Sequence, residues 1–119
     1  MAGLVLIVDD DESVYINIQA YLEDEGYQVC IAESGEQGLL CLETLRPQFA
    51  IVDMRLPGMA GDQFIKKAQG LQAGLQFLIH TGSVEYQLPD FLRDNPQVRQ
   101  SIFYKPLLNM DSLVSEMCS

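Results

Sequence analysis

Residues 4–13, LVLIVDDDES, place five apolar residues directly before four acids. Such an unbroken apolar run is typical of a strand that is buried on both faces of a parallel sheet. Four further short apolar runs follow at 28–32, 49–52, 76–81 and 102–104, with starts about 21 to 27 residues apart. This spacing leaves room for one helix between successive strands, so the pattern predicts an α/β domain with a parallel sheet covered on both sides.

The segments between these runs carry helix signals. The first has an apolar stripe with Ser13 near its start and Gly26 just past its end, and Asp11 and Glu12 suit a helix N-terminus. Weaker stripes predict helices over 35–45 and 60–69.

The chain after the fourth run departs from this pattern. Pro89 and Pro96 bracket the sequence PDFLRDN, which predicts a short or distorted fourth helix. Residues 111–117 predict a terminal helix with Asp111 as its N-cap.

Composition narrows the class of protein. At 119 residues and 48% hydrophobic content, the chain suits one core. Its apolar runs fall far short of the roughly 20 residues that span a bilayer, so we expect a cytoplasmic protein without a membrane segment. The net charge of −10 repels nucleic-acid phosphates and anionic lipids, so we expect no direct nucleic-acid binding. Cys30, Cys41 and Cys118 lack CxxC spacing and suggest buried or incidental thiols, not a disulfide framework or zinc site.

Polar residues follow the predicted strands. Asp9 and Asp10 end the first, Asp53 the third and Thr81 the fourth, and Lys105 follows the fifth. The carboxyl ends of parallel strands meet at one edge, so these side chains should converge there. Clustered carboxylates repel one another, and Mg²⁺ relieves that repulsion with the oxygen ligands it prefers. One carboxylate could then attack a phosphoryl group, with Lys105 supplying positive charge and Thr81 a hydroxyl donor.

Four motifs in order resemble the receiver domain of two-component response regulators. They are the acidic pair Asp9–Asp10, the sequence DMRLPGMAG from Asp53 to Gly61, Thr81–Gly82, and Lys105–Pro106. The resemblance extends over essentially the whole chain, 1–119, as one receiver domain. It implies a flavodoxin-like, doubly wound five-stranded sheet of order 2-1-3-4-5.

The resemblance also implies roles for the site residues. Asp53 would be the phosphoacceptor, and Asp9, Asp10 and the backbone carbonyl of Arg55 would join it in binding Mg²⁺. Thr81 and Lys105 would contact the phosphoryl oxygens.

The implied partners are a histidine kinase or histidine phosphotransfer protein and a downstream effector protein or domain, and a homodimer is left open. Such a domain is not an enzyme in the usual sense, because it catalyses only its own phosphorylation and dephosphorylation.

The fifth strand departs from the family pattern. The family usually has Tyr or Phe three residues before the lysine, where this chain has Ile102. In a strand, Tyr104 shares a face with Ile102. We therefore expect a switch that involves Thr81, Ile102 and Tyr104 but differs from the usual hydroxyl-to-aromatic coupling. The movement of Thr81 would then be transmitted by the backbone of 82–86 or by Tyr104.

Other interpretations stay open at this point. Asp9 and Asp11 fit the D-x-D spacing of a phosphohydrolase of the haloacid dehalogenase type, although Asp53 would then be unexplained. A receiver-like interaction module with altered switching is a further alternative. His80 falls on the opposite strand face from Thr81, which predicts a buried, hydrogen-bonded histidine. Gly58 is expected to serve the backbone of the loop after Asp53.

Overall fold

The computed structural model describes residues 3–82, 86–105, 107 and 109–118, apart from the side chain of Ser101. Pro106 and residues 83–85, which took part in the sequence predictions above, lie outside the described residues. Strands and helices alternate in the order β1 Leu4–Val8, α1 Glu12–Asp24, β2 Gln28–Ala32, α2 Gly35–Thr44, β3 Phe49–Val52, α3 Gly61–Leu71, β4 Gln76–Thr81, α4 Asp90–Arg93, β5 Val98–Tyr104 and α5 Met110–Cys118.

The strands form one parallel sheet in the order β2-β1-β3-β4-β5, which confirms the predicted topology. The chain passes from β1 to β2 on one side of β1, and then crosses back over β1 to place β3 on its other side. Strand order therefore reverses between β1 and β3, and in such sheets a ligand site lies beyond the carboxyl ends at this point.

The two faces of the sheet bury separate sets of apolar side chains, because successive strand residues point in opposite directions. The face under α2, α3 and α4 contains the strand residues Leu6, Val8, Ala50, Val52, Phe77 and Ile79. The face under α1 and α5 contains Val5, Ile7, Ile51 and Leu78. We call these the α2–α4 face and the α1–α5 face.

Local signals account for both ends of α1 and for the start of α4. Asp11 caps α1 by accepting a hydrogen bond from the Ser13 amide, as its position predicted, and Glu12 lies in the first turn. Gly26 follows α1 with a φ of +95°, a conformation that favours glycine. The predicted short fourth helix is confirmed, since α4 has four residues and Pro89 at its N-cap.

The predicted bounds of α2 and α3 differ from the observed ones by one or two residues, but the predictions for β5 and for the N-cap of α5 were wrong. Strand β5 begins at Val98, four residues before the predicted start at Ile102. The missed residues include Arg99 and Gln100, whose polar side chains an edge strand tolerates because one side of the strand is unpaired. The N-cap of α5 was also misplaced. Asp111 lies in the first turn, where its amide donates to Asn109 Oδ1 at 3.0 Å.

In the described parts of the chain, no helix combines the length and the apolar character that a membrane crossing requires.

Candidate functional site

The two buried acids of the site are held by extensions of the parallel ladder. The Asp9 amide donates to the Ala32 carbonyl at 3.0 Å, and the Asp53 amide donates to the Val8 carbonyl at 2.9 Å. Each acid therefore stands one residue past its strand with its backbone still bonded to the neighbouring strand. This arrangement brings two residues that are 44 positions apart in the sequence to adjacent places at the carboxyl edge.

Asp9, Asp10 and Asp53 form a cluster in which a carboxylate oxygen of each lies within 4.8 Å of the others. Asp9 and Asp53 are only 2% and 5% exposed, whereas Asp10 faces solvent. Two acids thus lie in the floor of the site and the third lies at its opening. The predicted convergence of these carboxylates is confirmed.

Lys105 bridges the two buried acids. Its Nζ lies 2.9 Å from Asp9 Oδ2 and 3.1 Å from Asp53 Oδ2. The backbone directs it there, because the Lys105 amide donates to the carbonyl of the buried Thr81 at 2.8 Å. Residues from β1, β3, β4 and β5 are therefore gathered at one edge, as the sequence predicted.

The remaining carboxylate oxygens are bonded to nearby amides. The Arg55 amide donates to Asp53 Oδ1 at 3.1 Å, and the Asp11 amide donates to Asp9 Oδ1 at 2.9 Å. Both buried acids consequently have one oxygen on a backbone amide and the other on the Lys105 ammonium. Their orientations are fixed before any ligand arrives.

The charges of the site favour a further cation. Burial raises the pKa of Asp9, and the neighbouring Asp53 charge adds to this, even though the Asp11 amide and Lys105 oppose it. Burial works against the charge on Lys105, but its bonds and attraction to Asp9 and Asp53 leave its pKa raised. One ammonium thus compensates incompletely for the buried carboxylates. An additional cation bound among these oxygens would remove the remaining repulsion.

The loop after Asp53 depends on two glycines. Gly58 has a φ of +72°, so its predicted backbone role is confirmed. Gly61 acts through close approach, because a Cβ at this position would strike the carbonyl oxygen of Asp53 and the backbone of Met54. The start of α3 therefore packs directly on the residue that follows β3.

His80 is buried, as predicted, but the prediction that it is hydrogen-bonded was wrong. It is 2% exposed, and neither ring nitrogen has a partner within the described structure. A cavity of about 240 Å³ beside α1 borders both His80 and Lys105. Burial, together with the Lys105 charge, lowers the pKa of His80 to about 4, so the ring is neutral at physiological pH.

The residues predicted for the switch differ in burial. Thr81 is fully buried and Ile102 is half-buried against the α2–α4 face. Tyr104 is 39% exposed, so it is not part of either core set.

Tyr86 is an aromatic residue whose position the sequence did not reveal. Its ring packs against the α2–α4 face beside which Ile102 also lies. Its buried hydroxyl has no hydrogen-bond partner among the described residues. Burial raises the pKa of Tyr86 to about 12. The one available signal was an aromatic side chain between Thr81 and Pro89, in the stretch that leads to α4.

The family model described as the response regulator receiver domain matches residues 5–93. This chain belongs to that family. Receiver domains are the phosphoacceptor domains of two-component signalling, and the acidic cluster of this receiver domain lies at the sheet edge that the resemblance indicated.

Relatives and solved structures are similar to this receiver domain over much of its length. Sporulation initiation phosphotransferase F of Bacillus subtilis (strain 168) is 31% identical over 84 residues, 71% of this chain and 68% of the relative. The transcriptional regulatory protein GlrR of Escherichia coli (strain K12) is 33% identical over 87% of this chain, which spans only 23% of that relative.

A CheY-like response regulator receiver domain protein from Methanospirillum hungatei JF-1 has a similar crystal structure. It superposes with a TM-score of 0.85 at 29% identity, over 99% of this chain and 92% of that one.

The position of Asp11 bears on the phosphohydrolase alternative. Its Oδ1 accepts from the amide and the hydroxyl of Ser13, at 3.1 Å and 2.7 Å, at the start of α1. Asp11 therefore serves the helix, while the acid that completes the cluster comes from β3. This use of Asp11, together with the family match, favours the receiver interpretation.

Proposed function

We propose that Asp53 accepts a phosphoryl group from a histidine kinase or a histidine phosphotransfer protein, and that the phosphorylated chain acts on a downstream effector protein or domain. In this proposal residues 1–119 act as one cytoplasmic receiver domain. The observation that supports it best is the position of Lys105 Nζ between Asp9 Oδ2 and Asp53 Oδ2, at the point where the strand order of the sheet reverses.

Sheet order supports Asp53 as the nucleophile. Strand β3 lies between β1, which leads to Asp9 and Asp10, and β4, which ends in Thr81. A phosphoryl group on Asp53 would therefore lie between the acids after β1 and the Thr81 hydroxyl after β4, with the Lys105 ammonium in contact with the Asp53 carboxylate. A group on Asp9 would not have such a hydroxyl beside it, because β2 ends in Ala32 and the Ser34 hydroxyl that follows caps α2 by accepting from the Gln37 amide.

The acid cluster suits Mg²⁺, which prefers oxygen ligands and commonly binds one or two carboxylates together with substrate phosphate. Asp9, Asp10, Asp53 and the backbone carbonyl of Arg55 are the groups that we propose hold it. When bound, the ion would neutralise charge on the carboxylates and on the incoming phosphoryl oxygens.

The chain's own residues account for the rest of the transfer. A carboxylate oxygen of Asp53 forms the new bond to phosphorus as the bond from phosphorus to the donor nitrogen breaks. Lys105, whose raised pKa keeps it protonated, supplies positive charge to the phosphoryl oxygens. The Thr81 hydroxyl donates to one of them. Catalysis by this receiver domain is limited to its own phosphorylation and dephosphorylation.

The switch that we propose begins at Thr81 and is transmitted toward α4 more than into β5. Ile102 has a compact side chain that is already half-buried, so it has few contacts to gain by moving to a second position. Tyr104 is exposed in this state and loses little by staying there. A modification shifts an equilibrium only through interactions that differ between the two states. Tyr86, whose buried hydroxyl has no hydrogen-bond partner in the described part of the chain, has more to gain from a rearrangement.

The role of Asp53 is tested by phosphorylation with acetyl phosphate and Mg²⁺. We expect the wild-type chain to gain one acid-labile phosphoryl group by intact mass, and Asp53→Asn to gain none. Asp24→Asn is the matched control, because Asp24 is an exposed acid at the far end of α1. Labelling of the Asp53→Asn variant at the wild-type level would place the nucleophile elsewhere.

The metal role is tested by thermal unfolding with and without Mg²⁺. Saturation to about 100 times the dissociation constant should stabilise the wild-type chain by about 2.7 kcal/mol. Asp10→Ala removes one charge from a repelling cluster, so we expect it to stabilise the apoprotein and to lose most of the Mg²⁺ response. A variant that keeps the full response would show that Asp10 is not a ligand.

A further inference from the structure

Two of the three cysteines lie in contact, although they are 11 residues apart in the sequence and belong to different secondary-structure elements. Cys30 lies in β2 and Cys41 in α2, and their Sγ atoms are 3.6 Å apart. Both are half-buried against the α2–α4 face. A disulfide requires an S–S distance of about 2.05 Å, so the sulfurs must approach by about 1.5 Å.

We propose that Cys30 and Cys41 are an oxidisable thiol pair, which a hydroperoxide converts to an intramolecular disulfide. This modification site is separate from the acidic cluster and does not depend on the role proposed for Asp53. The pair would make the receiver domain responsive to oxidants through α2.

The reaction balances in two steps. Cys41 attacks one oxygen of the hydroperoxide as a thiolate, so that an S–O bond forms while the O–O bond breaks. The products are a sulfenic acid on Cys41 and hydroxide, or alkoxide from an organic peroxide. The Cys30 sulfur then attacks the Cys41 sulfur, so that the S–S bond forms while the S–O bond breaks, and the hydroxyl group leaves as water with the Cys30 proton. Both sulfurs are oxidised by one electron each, and the peroxide is reduced by two.

The local chemistry assigns the two steps to different cysteines. Burial raises the pKa of the Cys30 thiol to about 11, and the contact with the Cys41 sulfur adds to this. Cys30 therefore keeps its proton and is not the sulfur that attacks the oxidant, because the thiolate is the nucleophilic form. Cys30 is then positioned within 3.6 Å as the resolving thiol.

The third cysteine is not part of this pair. The Cys118 sulfur lies 3.8 Å from the Tyr27 hydroxyl and is exposed at the end of α5. Replacing it with serine removes intermolecular disulfides through Cys118 and leaves the contact between Cys30 and Cys41 in place.

The experiment treats the reduced Cys118→Ser chain with hydrogen peroxide and identifies the products by mass. We expect the intact mass to fall by two hydrogen atoms and to recover with dithiothreitol. Proteolysis after Glu33 and Glu36 separates the two cysteines, so a linked pair of peptides identifies the bond. Cys30→Ser and Cys41→Ser in the same background should give no such loss.

The oxidised Cys118→Ser chain should also melt about 10 °C higher than the reduced form, because the bond restricts the unfolded chain. Consumption of thiols without the linked peptides, through added oxygen atoms or through dimers, would overturn the proposal. Because the decisive reading is made on a chain that retains both cysteines, it does not depend on whether the single variants fold.

Discussion

His80 should make the stability of this receiver domain depend on pH between neutrality and moderate acid. It is the one histidine of the chain, and its pKa falls from 6.5 to about 4 on folding, chiefly through burial. The unfolded state therefore binds a proton that the folded state excludes. The stability that comes from the neutral ring is complete above pH 6.5 and is lost as the pH falls toward about 4.

The magnitude follows from the width of this interval. Each pKa unit corresponds to about 1.4 kcal/mol, so lowering the pH from near neutrality to about 5 should cost the wild-type chain about 2 kcal/mol through His80. His80→Leu cannot take up this proton, so it should lose about 2 kcal/mol less over the same interval. At neutral pH the leucine variant should be at least as stable as the wild type, because it removes ring nitrogens that have no partner within the described structure.

Urea unfolding of the wild type, His80→Leu and His80→Gln at both pH values measures this difference. Glutamine is the control, because it is polar and does not titrate, so it should match leucine in pH dependence while being less stable at both values. If all three chains lose the same free energy on acidification, the ring is not excluded from protonation and the reasoning fails.

Three further perturbations test other parts of the structure. Lys105→Met removes the cation from two buried carboxylates, so the free energy of unfolding in urea at neutral pH should fall by about 3 kcal/mol. This loss should shrink in acid, where the carboxylates are protonated, and an equal loss at both pH values would contradict the expectation. Gly61→Ala should destabilise by about 2 kcal/mol and slow labelling by acetyl phosphate, whereas Gly74→Ala, with open space at its Cβ, should do neither. Beryllofluoride should change amide exchange mainly across residues 81–95; strong changes centred on Ile102 would show that β5 remains the switch.

Much of the fold could be predicted because the information is local. Strands β1 to β4 have the predicted bounds, since each is an apolar run that ends at a polar or turn residue. The start of β5 was missed because Arg99 and Gln100 interrupt the apolar pattern. An edge strand is stabilised by hydrogen bonds to its single neighbour, so its side chains carry a weaker signal than those of a central strand.

The sequence by itself determined which residues meet at the carboxyl edge. Parallel strands all end at the same edge of the sheet, so residues that end or follow a strand are brought together there. Those residues are Asp9, Asp53, Thr81 and Lys105. Only the tertiary structure decided which atoms are in contact there. Three features depend on register and on side-chain rotamers: the position of Lys105 between two carboxylates, the lack of a partner for the His80 ring among the described residues, and the contact between Cys30 and Cys41. Register and rotamers are set by packing between segments that are distant in sequence, and no local pattern encodes them.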